Sequence, residues 1–182
     1  MKKLLTIGLA ATLFAGCQNM QSGKLDTDNL DKIDMADVDE EQAKKIPVTY
    51  KAPTVEEGLD ALPFKMELPK KLPFEGEGFQ PPSIMDMEHN GKYIRAEFSA
   101  FPDQDDDKQN ILMIMADYPV ESFEQPGAET AELKGGVKGL YEGKSIAFLQ
   151  DKVQYTITYM DESLSEDQRK QVLSEMAGEM LK

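Results

Sequence analysis

One cysteine, one histidine and no tryptophan occur in this sequence, and each scarcity removes a class of chemistry. A single cysteine allows no internal disulfide, so an exported domain must hold itself together by its core. A zinc site needs three or four His, Cys or acidic ligands at suitable spacing, and no such pattern is present. The histidine, His89, falls in a hairpin-type turn beside Asn90 and Gly91. A Ser-His-Asp triad would need it against a nucleophile in a cleft, so a solvated turn residue is the expected role. Gly76, Gly78, Gly135, Gly136 and Gly139 form no phosphate-binding fingerprint leading into a helix. Basic residues are also few: 20 Lys and Arg against 34 Asp and Glu give a net charge of −14. Such a surface repels nucleic acid and anionic headgroups. Long apolar runs are missing as well, since the stretch 4–14 is about half of the ~20 residues a membrane-spanning helix needs.

What that stretch does offer is an export address. Met1-Lys2-Lys3 is a basic head, residues 4–14 are mostly apolar, and Leu13-Phe14-Ala15-Gly16-Cys17 closes on two small residues before the cysteine. This closing motif resembles the lipobox of bacterial lipoproteins. The resemblance implies a signal peptide at 1–16, cleavage before Cys17 and a diacylglyceryl (palmitate-type) modification of its sulfur. Each buried methylene contributes ~0.8 kcal/mol and a single acyl chain holds only reversibly, so two or three chains on Cys17 would make a firm anchor. Cleavage removes Lys2 and Lys3 and no acid, which leaves the mature chain at −16.

Apolar density then collapses. Between Gln18 and Leu62 eleven acidic residues face five lysines, the composition of a chain that buries too little to order itself. Residues 17–62 are therefore expected to be the lipidated cysteine and a flexible acidic tether, with a reach on the order of 35 to 40 Å. Thr54-Val55-Glu56-Glu57 has capping-box order and predicts a short helix at its end.

Residues 63–182 read as one globular α+β domain. Phe64, Met66 and Leu68 alternate with charge and predict a half-buried strand. Leu72 and Phe74 sit in a proline-bounded loop expected under the sheet edge. Segments 84–88 and 92–100 flank His89-Asn90-Gly91 as a hairpin. Gln109 to Tyr118 holds residues 111–116, apolar on both parities, and predicts a central strand buried on both faces. Strands at 128–133, 137–141, 144–149 and 153–159 follow, separated by turn residues. Ser165-Glu166-Asp167-Gln168 opens a final helix whose stripe of Val172, Leu173, Met176, Ala177, Met180 and Leu181 must pack. The sum is an antiparallel sheet of about seven strands with a C-terminal amphipathic helix on one face.

Three further features invite chemistry. Asp103-Gln104-Asp105-Asp106-Asp107 lacks the glycine and the bidentate glutamate of a calcium loop and reads as an exposed acidic turn. Met85, Met87, Met113 and Met115 could bind a soft metal, but alternating strand positions point to flexible core filling. Paired carboxylates for an envelope hydrolase give a weaker reading, because sequence spacing does not reveal spatial spacing.

Leu62-Pro63-Phe64, the hairpin, Gly139-Leu140-Tyr141-Glu142-Gly143, Tyr155-Thr156-Ile157-Thr158-Tyr159 and Leu164-Ser165-Glu166 before the helix resemble a small uncharacterised domain. That family is carried by lipoproteins and membrane-anchored proteins of Gram-positive bacteria, and the likeness covers 63–182. It implies an extracytoplasmic location at the cell membrane and transfers no catalytic residue. The expectation is a non-enzymatic module without metal or cofactor, held to the membrane through Cys17. Its partner is expected to be an envelope protein or a small apolar ligand, with a carrier of hydrophobic ligand or lipid as the alternative.

Overall fold

The computed structural model describes residues 23–33, 39–103 and 110–181. Cys17 and most of the acidic turn, 104–107, lie outside them. The elements in chain order are β1 (Asp31–Lys32), α1 (Glu40–Ala43), β2 (Val48–Lys51), α2 (Val55–Ala61), β3 (Ser83–Asp86), β4 (Ile94–Ala100) and β5 (Ile111–Tyr118). There follow β6 (Glu129–Glu132), β7 (Lys138–Glu142), β8 (Ser145–Gln150), β9 (Val153–Met160) and α3 (Glu166–Met180). Among the described residues the strands form one antiparallel sheet of nine, in the order β1-β2-β3-β4-β5-β9-β8-β7-β6. The fold is α+β as expected, with two strands more than the sequence announces. It consists of two meanders, β1 to β5 and β6 to β9, that meet where β5 pairs with β9.

Both additional strands come from the region expected to be a tether. Val48–Lys51 pairs with Ser83–Asp86 along its whole length, and Asp31–Lys32 pairs with β2. Leu25 is buried, its N–H donating to Gly91 O at 2.7 Å, and Asp26 N–H donates to Ala61 O at 2.9 Å. Ala52, Ala61 and Leu62 are buried too. The expected boundary at residue 63 is therefore corrected: the described residues from 23 onward belong to the folded body. Asp26, Asp28, Asp31, Glu41, Glu56 and Asp60 are exposed, while a few apolar positions and the backbone hydrogen bonds do the joining.

The short helix forms where its cap predicts. Thr54 accepts from Glu57 N–H at 3.1 Å, and α2 packs so closely on the chain entering β3 that Gly58 has no room for a methyl. A Cβ there would stand 2.3 Å from Pro82 Cγ and 3.1 Å from Ala52 Cβ. Gly58→Ala should destabilise by about 1 to 3 kcal/mol through overpacking, opposing the gain of up to about 1 kcal/mol in helix propensity. Urea denaturation of the variant measures which effect wins.

Alternation assigns the two sheet faces. Ile84, Ile94, Ala96, Phe98, Leu112, Ile114, Ala116, Ile146, Phe148 and Ile157 share one face and are fully buried or nearly so. Helix α3 lies against β8 and β9 on this side, contributing Leu173, Met176, Ala177 and Met180 to the same core. Its N-terminus carries the full capping box, with Ser165 and Gln168 bonded reciprocally. Residues 62–79 complete the cover: the Phe64 ring packs tilted against Tyr118 with centroids 5.2 Å apart, and Phe74 against Tyr159 at 6.1 Å.

Two strand expectations are corrected here. Phe64, Met66 and Leu68 alternate, yet residues 62–71 form no strand; Pro63 and Pro69 deprive a ladder of its donors, and the alternation instead lets Phe64 dip into the core. Strand β5 is fully buried on one parity only, since Ile111, Met113 and Met115 are half-buried on the other. Met85, Met113 and Met115 thus lie on the sheet face away from α3, beside Arg95, Glu97, Thr156 and Thr158. Methionine suits that place because a flexible apolar arm can lie flat between polar neighbours.

Candidate functional site

Each chemically notable residue has a definite place. His89 is exposed with φ 59°, and its Nε2 lies 2.8 Å from Ile46 O, an arrangement that ties the hairpin turn to the chain before β2. The turn itself is organised by Asp86, which is buried. Its carboxylate accepts from Gly91 N–H at 2.7 Å, Asn90 N–H at 3.2 Å and Glu88 N–H at 3.3 Å. The turn spans more residues than the three expected, because the last paired residues of β3 and β4 are Asp86 and Ile94. Among the described residues no group of three or more His, Cys, Asp or Glu side chains is arranged to hold a metal ion. No helix among them is long and apolar enough to cross a membrane.

Two hollows stand out. The first, near the start of β5 and the end of β9, is lined by Asn110, Ile111, Lys144, Met160, Asp161, Glu162 and Ser163. Its buried acid is already occupied: Asp161 accepts from the Tyr159 hydroxyl at 3.0 Å, from Ser163 N–H at 2.8 Å and from the Ser163 hydroxyl at 2.6 Å. Arg169 Nη2 donates to Asp161 O at 2.7 Å. This network turns the chain from β9 into α3, and its polar groups are committed to that task.

The second hollow is a cleft of about 360 Å³ at the other end of the sheet. Phe64 and Met66 enter from the loop after α2, Tyr118 from the end of β5, Val153 and Tyr155 from β9, and Met180 from the end of α3. Lys65, Glu67, Gln150 and Asp151 form a polar rim. Local geometry fixes one wall: Asp151 and Lys152 take φ of 51° and 66°, the left-handed pair that a two-residue hairpin between Gln150 and Val153 requires. Lys152 is then held outside the cleft by Glu121, 2.8 Å away. Apolar walls and polar groups share the lining about equally, and small-molecule sites combine apolar contacts with a few placed polar groups.

Tyr155 is the unusual member. Burial, and secondarily the nearby Asp151 charge, hold its phenol well above the ordinary value near 10. The folded state therefore keeps this proton where the unfolded chain loses it. The resulting stability is fully present below pH 10 and is lost as pH rises further. Tyr155→Phe should flatten the fall in melting temperature between pH 9.5 and 11.5, which a pH series of thermal melts would record.

By sequence pattern alone, Phe64, Tyr155 and Met180 are only core or stripe residues. A tyrosine at a core-facing strand position is the signal that could have marked the site, since a phenol among Val153 and Ile157 needs a reason for its oxygen. Compared with known proteins, the chain matches no family model, no curated protein and no solved structure.

Proposed function

We propose that the protein is a non-catalytic binding module, held at the extracytoplasmic face of the cell membrane by lipid on Cys17, that takes a small apolar ligand in the cleft beside Tyr155. The observation that carries the reading is the cleft's make-up: three aromatic rings and two methionines from four separate parts of the chain, under a polar rim. A lipid carrier would need an enclosed space between sheet and helix, and there Phe98, Phe148, Ile157, Leu173 and Ala177 are all at 0 % exposure. That filling favours the surface cleft over an internal cavity as the place of binding.

Two measurements test the proposal. Intact mass of the membrane-extracted chain should show a diacylglyceryl adduct, and Cys17→Ala should release the protein from the membrane fraction; an unmodified, freely secreted wild type would remove the anchor. For the cleft, titration with 2-ethylnaphthalene should move the methyl NMR signals of Met66 and Met180, while those of Met113 and Met115 on the opposite face stay still. Binding that moves the opposite pair instead would refute the assignment.

A further inference from the structure

Three tyrosines are buried: Tyr141, Tyr155 and Tyr159. Two of them have an internal partner for the hydroxyl. Tyr141 donates to Gly143 O at 2.6 Å, and Tyr159 to Asp161 Oδ2 at 3.0 Å. The Tyr155 hydroxyl meets no such partner among the described residues, although the residue is only 4 % exposed and its ring stacks on Phe148 at 5.0 Å. Among the described residues, Arg169 Nε is the one fully enclosed side-chain nitrogen or oxygen lacking a hydrogen bond. The phenol oxygen of Tyr155 must therefore keep an opening, and the space this residue lines is the cleft. Phenylalanine would fill the same position without offering the cleft a hydroxyl.

We propose that the cleft binds a small uncharged cyclic molecule carrying a carbonyl-type oxygen, and that the Tyr155 hydroxyl donates a hydrogen bond to that oxygen. This assignment rests on the binding-module reading above and names the ligand class for the same site. The role as donor follows from chemistry: a desolvated phenol beside Asp151 stays protonated. An anionic ligand is disfavoured, since Asp151 and Glu67 flank the mouth and the whole chain carries −14, against the single cation Lys65 in the lining. Size limits the ligand further, for about 360 Å³ lies at the small end of ordinary ligand pockets.

The experiment compares three probes of nearly equal size on the full chain carrying Cys17→Ala, so that no attached lipid competes. These are 2-acetylnaphthalene, 2-ethylnaphthalene and 2-naphthoate, followed by the Met66 and Met180 methyl signals. The acetyl probe should bind about 3- to 10-fold more tightly than the ethyl probe, the worth of one neutral hydrogen bond, and the naphthoate should bind weakest. Tyr155→Phe should bring the acetyl-to-ethyl ratio to about 1 without weakening the ethyl probe. Its melting temperature at neutral pH should match the wild type, because no internal bond is lost. Equal affinities in the wild type, or a preference that survives Tyr155→Phe, overturns the Tyr155 assignment and leaves the cleft standing. Tightest binding of 2-naphthoate overturns the uncharged class. Failure of every probe to move Met66 and Met180 overturns this assignment and the binding-module reading together.

Discussion

A chain shortened to begin at Pro63 is expected to lose cooperative folding, whereas one beginning at Gly23 should unfold like the full-length protein. The shorter version lacks Leu25 and Leu62, buried at 8 % and 1 % exposure. Burial of each contributes roughly 1.5 to 3 kcal/mol. It also lacks β2, which covers the edge of β3 by pairing through all four of its residues, and an uncovered edge strand invites aggregation. Against a typical total of about 5 to 15 kcal/mol, this loss is decisive. Urea titration followed by circular dichroism should show a broad or absent transition for the version starting at 63. An unchanged midpoint would show that the N-terminal segment is an ornament on an independent domain.

The second large effect is expected at Asp86. Its carboxylate gathers three backbone N–H groups of the β3–β4 turn, and that turn in turn receives Leu25 through Gly91 O and Ile46 through His89. Asp86→Ala leaves those three donors without their charged acceptor, at a position 5 % exposed. Loss of hydrogen bonds to a charged group and partial desolvation of the orphaned donors should together cost roughly 3 kcal/mol. For a chain of this size that corresponds to a fall of roughly 6 to 12 °C in melting temperature. Asp86→Asn keeps one acceptor oxygen in place and should lose about half as much. Differential scanning calorimetry of the pair checks the ordering; equal losses, or none, would mean that the turn holds itself without the carboxylate.

The C-terminal two thirds of the fold are legible in the chain because their signals are local. Strand β9 alternates without exception, Ser165 and Gln168 cap each other across one helical turn, and β3 and β4 flank a turn rich in residues that tolerate positive φ. The N-terminal part is hidden because its contribution is sparse in side chains and dense in backbone bonds. Val48-Thr49-Tyr50 is a good strand sequence, yet a three-residue run in an acidic neighbourhood does not shift the average hydropathy around it. Leu25 and Ala52 matter only through what they meet far away in sequence. Alternation misled in the opposite sense at Phe64 and Met66, where Pro63 and Pro69 leave the pattern without a ladder. The cleft is least visible of all: 63–67, Tyr118, Gln150, Asp151, Val153, Tyr155 and Met180 come together only once β5 pairs with β9 and α3 lies across the sheet.

The bond from Leu25 N–H to Gly91 O also sets an altitude. Eight residue steps separate Cys17 from Leu25, and a fully extended chain of that length reaches no more than roughly 30 Å. With the proposed lipid anchor on Cys17, the body would ride low over the bilayer on a short leash. The β3–β4 turn that receives Leu25 lies at the same end of the sheet as Tyr118 and the Gln150–Val153 hairpin, since Ile94 pairs with Tyr118 and Asp117 with Gln154. The proposed anchor on Cys17 would thus bring the mouth of the cleft to the membrane-proximal end. Apolar molecules concentrate in the lipid phase, so such a mouth samples a thin shell enriched in its own kind of ligand, and a modest intrinsic affinity suffices for occupancy there.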